Sequence, residues 1–213
     1  MLIGLVGHIA AGKTTIADWL MNDYTIEYND ETYSFSKCSF ADQLRDMLAI
    51  CGIKKTRETM QGFGKALRDW RPNFWVDQLR EEMDLHPWPF EVIDDVRYVN
   101  EAQFVLDRGG FLIGLYIWPP MMFERVKARM AKRDIDIDWY EFEKQLRHQS
   151  ETDVEKCLNM CAMKIDGHQP IDQVQDAVKA FIEYERGKQC DNNEEPKPAN
   201  NKTTKETWRE GCH

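Results

Sequence analysis

One stretch limits what this chain can fold into more than any other. An apolar run, Leu2-Ile-Gly-Leu-Val6, leads into Gly7-His-Ile-Ala-Ala-Gly12-Lys13-Thr14-Thr15, and Ile16-Ala-Asp-Trp-Leu20 continues from it. A G-x-x-x-x-G-K-T sequence between a buried strand and a helix start is a loop built to hold polyphosphate. Gly7 and Gly12 permit backbone angles and a closeness of approach that a Cβ would block. The amides along Ala10, Ala11, Gly12 and Thr15 can therefore point inward at an anion. A helix beginning near Lys13 adds its positive dipole end to that cradle. Lys13 supplies a mobile charge for the outer phosphates, and the Thr14 hydroxyl is placed for Mg²⁺. The apolar start is not expected to be a signal peptide, because it lacks a basic n-region and Lys13 stands where a cleavage motif should be.

A chain of 213 residues suits one domain with a tail. Hydrophobic residues at 42% are ample for a core, and no run approaches the roughly 18 apolar residues of a membrane span. The formal net charge of −9 disfavours extended non-specific nucleic-acid binding, whereas small phosphorylated ligands with Mg²⁺ are easier partners. Cys157 and Cys161 stand one helical turn apart, but no second pair at zinc-site spacing accompanies them in the folded part. Reduced, partly buried thiols fit a cytoplasmic protein, in the host cytoplasm if phage-encoded.

Along the chain, the loop helix is expected from Lys13 to about Asn22, and Tyr33–Cys38 alternates like a short strand. Ser39 and Thr56 both read as helix caps, the first before a face of Phe40, Leu44, Met47 and Leu48. Arg71-Pro72 ends the second of these helices, and a third carries Phe74, Leu79 and Met83 inward. Phe63, Trp70 and Trp75, at helical spacing, read as core rather than base-stacking residues.

Phe90-Glu-Val-Ile-Asp94-Asp95-Val-Arg97 is a short apolar run ending in acids. Such a strand-terminal carboxylate can hold Mg²⁺ directly or through water, or else serve only as a helix cap. A helix from Tyr98 to Arg108 should leave Glu101 and Arg108 at the surface before Gly109-Gly110 stops it. Phe111–Ile117 reads as a central parallel strand. From Met121 to Leu158 the sequence is charged and helical. Most of its cations should form a solvated face, with one or two arginines, Arg147 and His148 as candidates for closing over phosphates. A last strand ends at Asp166, and a final helix buries Ile171, Val174, Val178, Phe181 and Ile182.

This order implies an α/β fold, a doubly wound parallel sheet with a helical insertion and a charged lid at about 121–160. The domain is expected over 1–186, with 187–213 as a tail of disordered composition. The chain resembles the phage deoxynucleoside monophosphate kinases of the P-loop nucleotide kinase superfamily. The resemblance lies in Gly7–Thr15, Met60-Gln61-x-Phe63-Gly64 with Phe74-Trp75-Val76, Asp95-Val96-Arg97 with Asn100-Glu101, and Lys164-Ile165-Asp166-Gly167. It implies ATP and Mg²⁺ as cofactors, Asp95 with Thr14 near the metal, and Lys13, Asp95 and Arg97 as the catalytic set. Arg97 would grip the acceptor phosphate with help from Arg68 or Arg71. The segment between the loop and Thr56 is shorter than in that family, and the charged stretch from Met121 is longer.

The expected acceptor is a deoxynucleoside monophosphate, with a monomer or homodimer as the active form. Hydroxymethyluracil-containing DNA is the alternative acceptor, since related phage kinases phosphorylate that base. A regulatory protein that binds ATP without transferring phosphate is a reading from another class. Dephospho-coenzyme A kinase-like chemistry is a weaker third possibility.

Overall fold

A computed structural model describes residues 1–147 and 149–191 of the chain. β1 (Leu2–Val6) leads through the loop into α1 (Lys13–Asn22), and a hairpin of β2 (Ile26–Tyr28) and β3 (Glu31–Tyr33) follows. β4 (Ser36–Cys38) opens onto three helices, α2 (Phe40–Ile50), α3 (Arg57–Trp70) and α4 (Phe74–Leu85). Next come β5 (Glu91–Val96), α5 (Val99–Asp107) and β6 (Phe111–Tyr116). The charged region folds as α6 (Pro119–Ala131), α7 (Trp139–Leu146), α8 (Gln149–Thr152) and α9 (Val154–Leu158) before β7 (Met163–Asp166) and α10 (Ile171–Asp191).

Among the described residues a five-stranded sheet runs β4-β5-β1-β6-β7, with every pairing parallel. All five residues of β1 are buried, as the middle strand of a sheet covered on both faces requires. Its side chains divide by the period of two. Ile3 and Leu5 enter the core layer with Ile16, Leu20, Val126 and Val178, while Leu2 and Val6 enter the opposite layer with Leu48, Leu79 and Val105. The sheet therefore carries α1, α6 and α10 on one side and α2, α4 and α5 on the other. β5 and β6 flank β1, and the phosphate loop leaves β1 at the carboxyl end where this doubly wound order places ligands.

Several local expectations meet different physics. Tyr33–Cys38 is not one strand: Phe35 turns inward, 1% exposed, and splits the run into β3, which pairs back on β2, and β4, which joins the sheet. Glu101 is not at the surface but 2% exposed, because its carboxylate folds back onto the start of α5. Ile171 and Trp70 stay exposed, whereas Val174, Val178 and Ile182 are buried. The charged region is docked, with Val126 and Phe142 fully buried in the core. α10 continues past residue 186 to Asp191, so the expected start of the tail falls inside this helix. Residues 192–213 and His148 lie outside the described residues. No helix among the described residues is long and apolar enough to cross a membrane.

Candidate active site

The loop is shaped by close backbone approach. A Cβ on Gly7 would stand 2.4 Å from the Leu115 carbonyl oxygen of β6, so only glycine fits where β1 ends. Ala10 adopts φ 62° and Gly12 φ 102°, and these left-handed residues turn the chain tightly onto α1. Gly12 caps α1 without a side-chain partner for the first amides, which leaves them pointing at the cleft. From α6, Arg125 braces the loop from outside, donating to the Ala10 carbonyl at 3.2 Å and to the Gly167 carbonyl at 2.7 Å.

Lys13 is buried, and its ammonium donates to the carbonyls of Gly7 at 2.6 Å and His8 at 2.9 Å. Burial brings its pKa down to about 7, helped by the Arg97 charge and opposed by Glu151, Asp95 and Asp94. An anion in the loop would reverse that shift. Thr14 and Thr15 are exposed on the first turn of α1, and the Thr14 hydroxyl donates to Asp94 Oδ2 at 3.1 Å.

The resemblance implies Asp95 beside Thr14, while the sequence leaves the choice between Asp94 and Asp95 open; Asp94 is the one that meets Thr14. Gly4 of β1 is level with Ile93, yet Val6 is level with Val96, so β5 accommodates an extra residue opposite Leu5. That irregularity lies at Asp94-Asp95, whose carboxylates, on successive residues of the strand, meet different elements. Asp94 faces the loop and sits 3.4 Å from Lys37 Nζ, which also pairs with Asp18 at 2.7 Å. Asp95 accepts from the Ser39 hydroxyl at 2.7 Å and from the Phe40 and Ala41 amides, each at 2.9 Å, and so caps α2. Burial and the Asp94 charge raise its pKa, against those three donors.

Beyond β5 the chain enters a cleft of about 250 Å³ whose walls include Arg57, Gln61, Arg68, Arg97, Tyr98 and Glu151. The Arg97 and Tyr98 amides donate to Glu101 Oε2 at 2.8 and 3.1 Å, fixing the turn that carries Arg97. Arg68 reaches Glu101 Oε1 at 3.2 Å and lies over the Tyr98 ring at 4.1 Å. Arg57 donates to Gln145 at 2.8 Å, joining α3 to α7. Arg71, the other expected helper of Arg97, instead pairs with Asp77 on α4 at 2.7 Å and lies outside the cleft wall. Arg147 stays along α7, exposed, 3.6 Å from Glu143. Trp75 is a core residue, 2% exposed, whose indole nitrogen donates to the Gly64 carbonyl at 3.1 Å.

Glu151 on α8 closes the far wall. It pairs with Arg97, accepts from the Ile9 amide at 3.0 Å and meets His8 Nδ1 at 3.2 Å. Burial favours its neutral form, but the His8 hydrogen bond, Arg97, the Ile9 amide and Lys13 outweigh burial and hold its pKa at about 2. Arg57, Lys37 and Glu151 escape a reading of the sequence. Their partners lie tens of residues away, and no local pattern marks them.

Thr14 and Asp94 together match what Mg²⁺ takes from a protein when substrate phosphates supply its other ligands. Among the described residues no group of three or more His, Cys, Asp or Glu side chains forms a metal cage of its own. Cys157 and Cys161 are packed thiols, pushed up to about 12 by burial.

The chain is 30% identical over 148 residues to a protein of Acanthamoeba polyphaga mimivirus named "Putative deoxynucleotide monophosphate kinase". That match covers 53% of this chain and 72% of the viral one. Shikimate kinase from Aquifex aeolicus vf5 superimposes with a TM-score of 0.54 at 16% identity, over 87% of this chain and 98% of its own. A sugar kinase from Janibacter sp. HTCC2649 does so with a TM-score of 0.51 at 17% identity, over 85% and 94%. No family model matches the chain. The solved structures share its parallel sheet and flanking helices, and the viral relative carries the relationship into sequence. The chain is a phosphotransferase of the P-loop kinase family.

Proposed function

We propose that the protein transfers the γ-phosphate of ATP to a deoxynucleoside monophosphate, giving the diphosphate and ADP. The observation that carries this reading is the pairing of two cationic half-sites on one cleft. The loop reaches this cleft at Ile9, with Lys13 near enough to feel the Arg97 and Glu151 charges, and Arg57, Arg68 and Arg97 line the cleft itself. A donor polyphosphate lies along the first, and an acceptor phosphate suits the second. The name of the viral relative points to the same acceptor class.

Phosphoryl transfer asks a protein mainly for in-line positioning and neutralisation of charge. Lys13 would leave its own loop carbonyls for the donor's outer phosphates, regaining its proton as it does so. Thr14 and Asp94 would hold Mg²⁺, which supplies neutralisation of the donor's phosphate oxygens. Arg97 would orient the acceptor phosphate, its turn fixed by Glu101 from behind. Asp95 lines the same cleft and also holds the start of α2 against the end of β5.

The test is acceptor-dependent ADP release across a panel of deoxynucleoside monophosphates, with hydroxymethyluracil-containing DNA as a separate arm. Turnover with at least one mononucleotide and none with the DNA supports the reading. Label entering only the DNA refutes it, and ATP binding without acceptor-dependent ADP release indicates a regulatory protein.

A further inference from the structure

We propose that Glu151 is a built-in occupant of the phosphoryl site, its carboxylate standing between the loop and the acceptor arginine in place of a substrate phosphate. The inference rests on the kinase reading above for what displaces it. The carboxylate bridges the two half-sites: one oxygen takes the Ile9 amide of the loop, and the other takes the Arg97 guanidinium. It also lies in the field of Lys13, and Arg57 feels its charge in turn. A loop amide, the loop lysine and cleft arginines are the donors a phosphoryl oxygen would use.

A buried ion pair that served only the fold would have no reason to draw its partners from both halves of a ligand site. At 2% exposed, Glu151 is an ionised group kept from water, tolerable because each oxygen has charged or amide partners. Exchanging it for a phosphate leaves those cations satisfied, so displacement replaces one set of charge-assisted bonds with an equivalent set. Removing the charge without replacing it leaves Lys13, Arg57 and Arg97 facing one another.

His8 makes the exchange felt beyond the cleft. Its Nδ1 meets Glu151, and its Nε2 meets Glu155 of α9 at 2.8 Å. The loop is thus clamped to both α8 and α9, and a phosphate that drives Glu151 out loosens the inner jaw of the clamp. Glu155 is largely exposed, so its contact is the weaker one.

The experiment titrates the full chain with inorganic tripolyphosphate, without acceptor, in the wild type, Glu151→Gln and Glu155→Gln. Glu151→Gln is expected to bind about tenfold more tightly than the wild type, because the anion no longer competes with a resident charge. Glu155→Gln should stay within about twofold, since it leaves the buried carboxylate in place. Thermal unfolding with and without tripolyphosphate covers the case in which Glu151→Gln is poorly stable alone. Its Tm should then rise by more than the wild type's on saturation. Equal or weaker binding by Glu151→Gln, or an equal or smaller Tm rise, overturns the proposal while leaving the kinase reading intact. Tripolyphosphate binding by neither the wild type nor Glu151→Gln overturns both.

Discussion

The Thr14 hydroxyl donates to Asp94 Oδ2 at 3.1 Å, joining the first turn of α1 to the end of β5. One group stands on the helix that follows β1 and the other on β5, and each is held before any ligand arrives. Asp94→Asn keeps the size and the hydrogen bond but removes the charge. Turnover should fall by about a hundredfold or more, as for loss of other preorganised charge at a transition state. Steady-state rates against magnesium concentration check this, and a variant with unchanged magnesium dependence would contradict it.

Asp95 makes the opposite prediction. Its carboxylate is engaged by Ser39 and by two amides at the start of α2. Asp95→Asn should lower stability by about 1–3 kcal/mol through the mismatched acceptor, with magnesium dependence retained. Urea unfolding read beside the rate assay separates the two aspartates.

The difference between these neighbours marks the limit of what the sequence discloses. Features set by contiguous residues are legible in it: the loop, the extent of α1, the Ser39 cap, the Thr56–Thr59 capping box and the buried face of Val174, Val178 and Ile182. Which aspartate meets Thr14 depends on which face of β5 lies toward α1, and no spacing along one strand encodes that. Glu101 reads as a surface residue by helical period. It is buried because it turns back to cap the amides that carry Arg97. Glu151 stands 142 residues from the Ile9 amide it accepts from, a distance only the tertiary fold can close.

Lys13 yields a pH signature. Its pKa in the free protein, about 7, lies below its ordinary 10.5, so the folded chain binds fewer protons than the unfolded chain between those values. The resulting destabilisation is greatest below pH 7 and diminishes as pH rises. A bound polyphosphate restores the charged form, so ATP binding at pH 8 should take up about one proton that is not taken up at pH 6. Calorimetric titrations in buffers of different ionisation enthalpy measure the uptake. Equal uptake at both pH values would rule out Lys13 as its source.

Arg97 should separate the two substrates. Arg97→Lys retains a positive charge facing Glu151 but loses the planar fork that grips a phosphate through two bonds. The KM for the mononucleotide should rise about tenfold, with that for ATP changing about twofold or less. Initial rates over a grid of both substrates show the split, and a rise confined to ATP would place Arg97 on the donor side.

The proposed reaction passes phosphate from the loop side of the cleft to a mononucleotide on the arginine side. The most direct measurement follows the label of γ-labelled ATP into isolated products, with wild type and Lys13→Ala run against each deoxynucleoside monophosphate and against hydroxymethyluracil-containing DNA. Label is expected in a deoxynucleoside diphosphate, with ADP formed in equal amount and no transfer by Lys13→Ala. Label recovered only in the DNA, or transfer that persists in Lys13→Ala, would contradict it.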